Sequence, residues 1–146
     1  MKHKAEVIIN APREQVWAAF DDPDNMTRWQ PTLESFVHKS GTPGHPGAVS
    51  ELTYNENGRK IVMTETISER REEEFLAGIY ESGFGTTTIV NNFEKINAQQ
   101  TKWTMWCNFR FRGFMKIMAL FMSKSIRKRT DEDLQRFKQL AEGGGS

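Results

Sequence analysis

The chain has 146 residues, enough for one domain with a substantial core. Its hydrophobic share of 37%, with 11% aromatic residues, excludes a disordered or fibrous chain. Twenty Lys and Arg stand against nineteen Asp and Glu, and a net charge of +1 gives no reason to expect nucleic acid as a partner.

In chain order, the opening MKHKAEVIINAPREQ has no apolar signal core, and no later apolar run reaches membrane-spanning length. The expectation is a cytoplasmic protein without stable membrane insertion. Residues 4–10 read as a first strand, with Val7 and either Ile8 or Ile9 inward. Asn10-Ala11-Pro12 then starts a helix, since proline suits a helix start. Val16, Trp17 and Phe20 share one face of it. Asp22 can cap a short second helix that opens at Pro23, closes with Met26 and Trp29, and stops before Pro31.

Residues 33–39 read as a short strand, and SGTPGHP at 40–46 as a loop dense in Gly and Pro. Strands at 47–54 and 59–67 meet around Asn57-Gly58, a strong hairpin signal. Strands at 75–82 and 86–93 meet around Gly83 and Gly85. Residues 101–112 give the clearest strand. There Trp103, Met105, Cys107, Phe109 and Phe111 alternate with Thr104, Trp106, Asn108, Arg110 and Arg112, the period of a half-buried strand. Trp106 is then half-covered or a contact point. Cys107 is the one cysteine, so no internal disulfide can form, which fits a reducing compartment. On an apolar strand face it reads as a small core hydrophobe rather than a nucleophile.

Residues 114–142 hold no Pro or Gly and run into Gly143, so they read as one helix about 40 Å long. Met115, Ala119, Met122, Ile126, Thr130, Leu134, Phe137 and Ala141 form one apolar face. In the first half Phe114, Ile117, Met118 and Phe121 add a second apolar side. Either a loop covers that side, or it meets a ligand, a membrane or a partner. The basic run Lys124, Arg127, Lys128, Arg129 follows it and is neutralised in turn by Asp131, Glu132 and Asp133. Thr130-x-x-Asp133 has the form of a capping box, so a break near Arg129 is one expectation. The GGGS ending at 143–146 reads as a linker or cloning scar outside a single domain at 1–142.

Hairpin-linked strands with the helices set apart give an α+β domain. The opening Ile9-Asn10-Ala11-Pro12-Arg13-Glu14-Gln15-Val16-Trp17, then Asp22-Pro23, Trp29-Gln30-Pro31 and Gly44-His45-Pro46-Gly47, resembles the START-like (SRPBCC) superfamily. That superfamily includes the major birch-pollen allergen, polyketide cyclases, coenzyme-Q-binding proteins and chaperone-ATPase activators. The resemblance implies a helix-grip fold. Two short helices follow the first strand, and a curved seven-stranded antiparallel sheet wraps a long C-terminal helix around a cavity. Many relatives hold an apolar ligand there, and they share no catalytic motif that transfers to this chain.

Among residues that could carry chemistry, His3, His38 and His45 lie on separate elements without ligand spacing, so no metal or other cofactor is expected. No phosphate-binding glycine loop or serine elbow is present. Glu65 shares a strand face with Ile61, Met63 and Ile67. Facing inward, it would titrate high and serve as an acid, a base or a ligand anchor. Set against this, Val62, Thr64 and Thr66 could be the inward face, or Glu65 could be paired for structural reasons. The expected cavity lining is Trp29, Tyr54, Met63, Glu65, Tyr80, Asn91, Met105, Cys107, Phe109, Met118 and Met122. Satisfied core polarity would equally account for Tyr54, Tyr80 and Asn91. Three functions stay open. One is binding, transport or sequestration of a small hydrophobic molecule. The second is a cyclase- or hydratase-type reaction using Glu65 with a Tyr or Asn. The third is partner binding, including a weak homodimer, through the face from Phe114 to Phe121.

Overall fold

The computed structural model describes residues 1–144. Strand β1 (Lys2–Ile9) is followed by α1 (Arg13–Asp21), a 3-10 turn (Pro23–Asn25) and α2 (Met26–Trp29). Strands β2 (Leu33–Ser40), β3 (Val49–Glu56), β4 (Arg59–Arg71), β5 (Phe75–Ser82), β6 (Gly85–Asn97) and β7 (Gln100–Phe111) come next, and α3 (Met115–Gln139) closes the chain. All seven strands join one antiparallel sheet in the order β1-β7-β6-β5-β4-β3-β2, the arrangement the resemblance implies.

Local chemistry explains the joints. The Asp22 carboxylate accepts from the Asp24 N–H at 3.0 Å and fixes the turn into α2. Asn57 (φ 54°) and Gly58 (φ 84°) both take positive φ, as a two-residue hairpin turn requires. Strands β4 and β6 run four residues beyond the sequence reading, to Arg71 and Asn97. A bulge interrupts the β4–β5 register between Ile67 and Glu69. One extra residue there reverses the facing of the rest of β4, so Arg70 rather than Glu69 turns inward.

Helix α3 corrects two expectations. It does not break near Arg129: the Thr130 hydroxyl donates back to the Ile126 carbonyl at 2.8 Å instead of capping a new helix. Among the described residues no loop covers the second apolar side either. Phe114 (70% exposed), Ile117, Leu120 (78%) and Phe121 (77%) face solvent. The α-helix ends at Gln139 and a π turn over Leu140–Gly144 follows, with Gly143 at φ 93°. Gly143 and Gly144 thus belong to this turn, and Gly145 and Ser146 lie outside the described residues.

The core is lopsided. α3 packs chiefly on β1, β7 and α2. Its second half buries Thr130, Leu134 and Phe137, and the turn that follows buries Ala141. At that end Trp103 stacks on Phe93 with 5.9 Å between ring centroids, and meets Phe137 at 4.8 Å and Phe20 and Trp29 each at 5.6 Å, edge to face. The Trp103 Nε1–H donates to Asn91 Oδ1 at 3.0 Å, and the Asn91 amide donates to the Leu76 carbonyl. Asn91 is therefore core polarity with its partners in place. The first half of α3 has no such packing over β3–β6, and that gap becomes the site.

Candidate functional site

Between α3 and strands β3–β7 lies a cavity of about 1360 Å³. It exceeds the ~300–1,000 Å³ of common small-molecule pockets. It also reaches the surface, since exposed residues such as Arg59, Arg110, Met122 and Ser125 are part of its wall. Trp29, Tyr54, Met63, Glu65, Tyr80, Asn91, Met105, Cys107, Phe109 and Met122 all line it. Met118 does not. It sits between the buried and the exposed sides of α3, and Met115 and Ile126 take the lining positions instead. The wall is largely apolar, with methionine from β4, β7 and α3. Such side chains adapt their shape to what they touch. The Trp29 Nε1–H, at the aromatic end, is buried with no acceptor among the described residues.

Glu65 is the polar feature of that wall. It is 7% exposed and points inward with Ile61, Met63 and Ile67, while Val62 on the other face is half exposed. Its register partner across β4–β5 is Tyr80. The Tyr80 hydroxyl donates to Glu65 Oε2 at 2.7 Å. The tyrosine reaches it by leaning back along its own strand: a Cβ on Gly78 would lie 3.3 Å from Tyr80 Cε2. Burial raises the Glu65 pKa, and the bond from Tyr80 partly offsets this. Burial, then the adjacent Glu65 charge, raises the Tyr80 pKa well above its ordinary value, so its hydroxyl keeps its proton. Tyr54 is likewise raised by burial and donates to Gln30 Oε1 at 2.7 Å. Burial pushes the Cys107 thiol up to about 12, which makes it an inert wall residue.

The sequence reading left a charged cavity residue out of the expected lining. Asp133 lines the wall beside Arg129 and Thr130. It accepts from Arg136 Nη1 at 2.7 Å. Burial pushes its carboxyl up to about 6, against the opposing pull of Arg129 and Arg136. Its spacing from Thr130 and Phe137 is the signal that places it on the packed flank of α3. Arg129 in turn pairs with Glu56 at the end of β3, tying the helix to the sheet across the cavity. Among the described residues no group of His, Cys, Asp and Glu could hold a metal ion.

The raised Glu65 pKa carries a stability consequence whose sign is fixed. The unfolded carboxyl titrates near 4.3, and the native one higher. Its contribution is therefore complete below the unfolded value and is lost as pH rises through the native one. Glu65→Gln is neutral throughout and keeps an acceptor for Tyr80. In urea melts the variant should match wild type near pH 4 and gain on it as pH rises. A stability difference that stays flat across this range would place Glu65 in contact with water.

A model of the family described as polyketide cyclase / dehydrase and lipid transport matches residues 2–142. In backbone the chain is similar to TTHA0849 from Thermus thermophilus, with 16% identity, all of both chains covered and a TM-score of 0.83. It is similar to the Zhui aromatase/cyclase from Streptomyces sp. R1128, with 15% identity over 97% of this chain and 93% of the other and a TM-score of 0.83. It is also similar to Ara h 8.0201, with 13% identity, 97% of each chain covered and a TM-score of 0.75. No curated protein matches it in sequence. At these identities the likeness concerns the fold.

Proposed function

Because the chain belongs to the polyketide cyclase / dehydrase and lipid transport family, we propose that it binds a small hydrophobic molecule in the cavity between sheet and α3. The observation that carries this reading is the largely apolar wall whose most buried carboxyl already has a partner, the Glu65–Tyr80 pair. Apolar surface supplies affinity, and a few fixed polar groups set the orientation. Glu65, Tyr80 and Asp133 are the polar anchors in this reading. A hydroxyl or carbonyl on the ligand would find a donor or acceptor there at no fresh desolvation cost to the protein.

A second reading rests on the same pair. A carboxyl whose pKa burial raises, held against a tyrosine on the wall of a cavity, can donate and withdraw a proton during a cyclisation or dehydration. One variant divides the two readings. Under binding, Glu65→Gln changes affinity by only a few-fold, since an amide still accepts from Tyr80. Under catalysis it abolishes turnover.

The direct test is native mass spectrometry of protein purified from cells, followed by titration with an apolar fluorophore. The expected result is one adduct of small-molecule mass per chain, displaced by the fluorophore at one-to-one stoichiometry. Protein that carries no adduct and leaves the fluorophore dark would overturn the reading.

A further inference from the structure

We propose that the first half of α3 docks on the surface of a bilayer rich in anionic phospholipid. The net charge of +1 conceals a strong segregation. Residues 95–130 contain nine Lys and Arg and no Asp or Glu, so the rest of the chain carries −8. The exposed apolar ridge lies inside that acid-free stretch. Phe114, Ile117, Leu120 and Phe121 are 70%, 55%, 78% and 77% exposed, on the helix side opposite Ala119 and Ile126. Continuing along the same side by helical steps, Ile117 and Phe121 lead to Lys124 and then Lys128. Arg110, Arg112, Lys116 and Arg127 flank the ridge, all exposed. Among the described residues Arg110, Lys116, Lys124 and Arg127 form no ion pair, whereas the acids that follow are engaged, Asp131 with His3 and Glu132 with Lys128 and Arg136. The side therefore runs apolar, then basic, then acidic.

That order matches the depth profile of an anionic leaflet. Phenyl and leucyl groups enter the acyl boundary, the ammonium and guanidinium groups stay among the phosphates, and the acids remain in water. Phospholipid fits better than a second copy of the chain, because pairing two such ridges would bring two clusters of unpaired cations together. Docking places Met122, Ser125 and Arg110, which line both the cavity and its surface opening, beside the bilayer. On the binding reading above, an apolar cargo could then pass between lipid and cavity without crossing water.

Vesicle co-sedimentation tests this with the intact protein. The two surfaces are pure phosphatidylcholine and phosphatidylcholine with a phosphatidylserine minority. Each basic residue near an anionic surface contributes about fivefold in affinity, so the anionic vesicles should bind about a hundredfold more tightly, and added salt should erase most of the difference. Leu120→Ser with Phe121→Ser should weaken binding by about tenfold or more and leave the melting temperature unchanged, since both side chains lie in solvent. If that variant melts early, Lys124→Glu with Arg127→Glu carries the test with the same expected loss. Equal binding to both vesicles, no binding to either, or variants that bind as wild type would each overturn the proposal. So would a concentration-dependent dimer in sedimentation velocity that the serine variant abolishes. Fluorophore titration without vesicles reports on the cavity alone, so the two proposals fail separately.

Discussion

Trp103→Ala should cost about 5 kcal/mol or more, measured by urea denaturation. Removing a fully buried large aromatic side chain costs about 3–5 kcal/mol through lost transfer energy and the void left behind. Trp103 sits at the upper end because it is 0% exposed and touches Phe20, Trp29, Phe93 and Phe137 at once. Its loss also strands the Asn91 carbonyl oxygen, which adds about 1–3 kcal/mol unless water enters. Against a typical stability of about 5–15 kcal/mol, this single change can leave the chain unfolded at room temperature. Trp103→Phe separates most of the two parts: it keeps one ring and should cost the stranded acceptor plus a smaller void, less than the alanine variant. Phe109→Ala is the contrast on the same strand face. It borders the cavity and is only half-buried, so about 1–2 kcal/mol is expected. Equal costs for Trp103→Ala and Phe109→Ala would mean the cavity is closed up in solution.

Arg70→Ala should cost about 2–3 kcal/mol and loosen the loop at 41–47. The guanidinium makes a two-pronged bond with Asp21 at 2.8 and 2.7 Å, donates to Glu72 at 2.5 Å and to the Gly44 carbonyl at 3.1 Å, and lies 5.1 Å over the Trp17 ring. One side chain thereby joins β4, the end of α1 and the loop. Its own side chain is only 8% exposed, but Asp21 is 34% exposed and can be rehydrated, which holds the loss below that of a fully buried pair. Arg70→Lys should recover less than half of it, because an ammonium cannot match both carboxylate oxygens. Faster amide hydrogen exchange at 41–47 in Arg70→Ala is the local readout. A lysine variant as stable as wild type would show that charge alone, without the fork geometry, holds this corner.

Arg70 also shows where sequence reading stops. Strict alternation from Glu65 and Ile67 points to Glu69, and only the bulge after Ile67 turns Arg70 inward. Bulges leave no reliable mark in one sequence. Glu65 was legible for the opposite reason, since Ile61, Met63 and Ile67 fix the phase of the strand without interruption. The alternation of β7 and the Asn57-Gly58 turn were readable on the same basis. Met118 was misplaced because a helix segment apolar on two sides gives no direction to the residue between them. Asp133 was hidden inside a charge run, although its spacing from Thr130 and Phe137 marks the packed flank. Helix continuity past Arg129 depended on a hydroxyl choosing the Ile126 carbonyl over a capping bond, a choice that packing makes.

The position of β1 in the sheet has a consequence in time. Lys2 pairs with Asn108 and Ile9 with Thr101, so the first strand completes its ladder only with the last. At about 5–20 residues per second of synthesis, β1 emerges roughly 5–20 s before its partner. Through that interval Ala5, Val7 and Ile9 have no strand to cover them, and α1 has no Phe93 to pack on. Strands β2 to β7 can pair in sequence as each hairpin appears. The chain therefore builds its sheet from the β2 edge across to β7, and its earliest residues wait longest for a place.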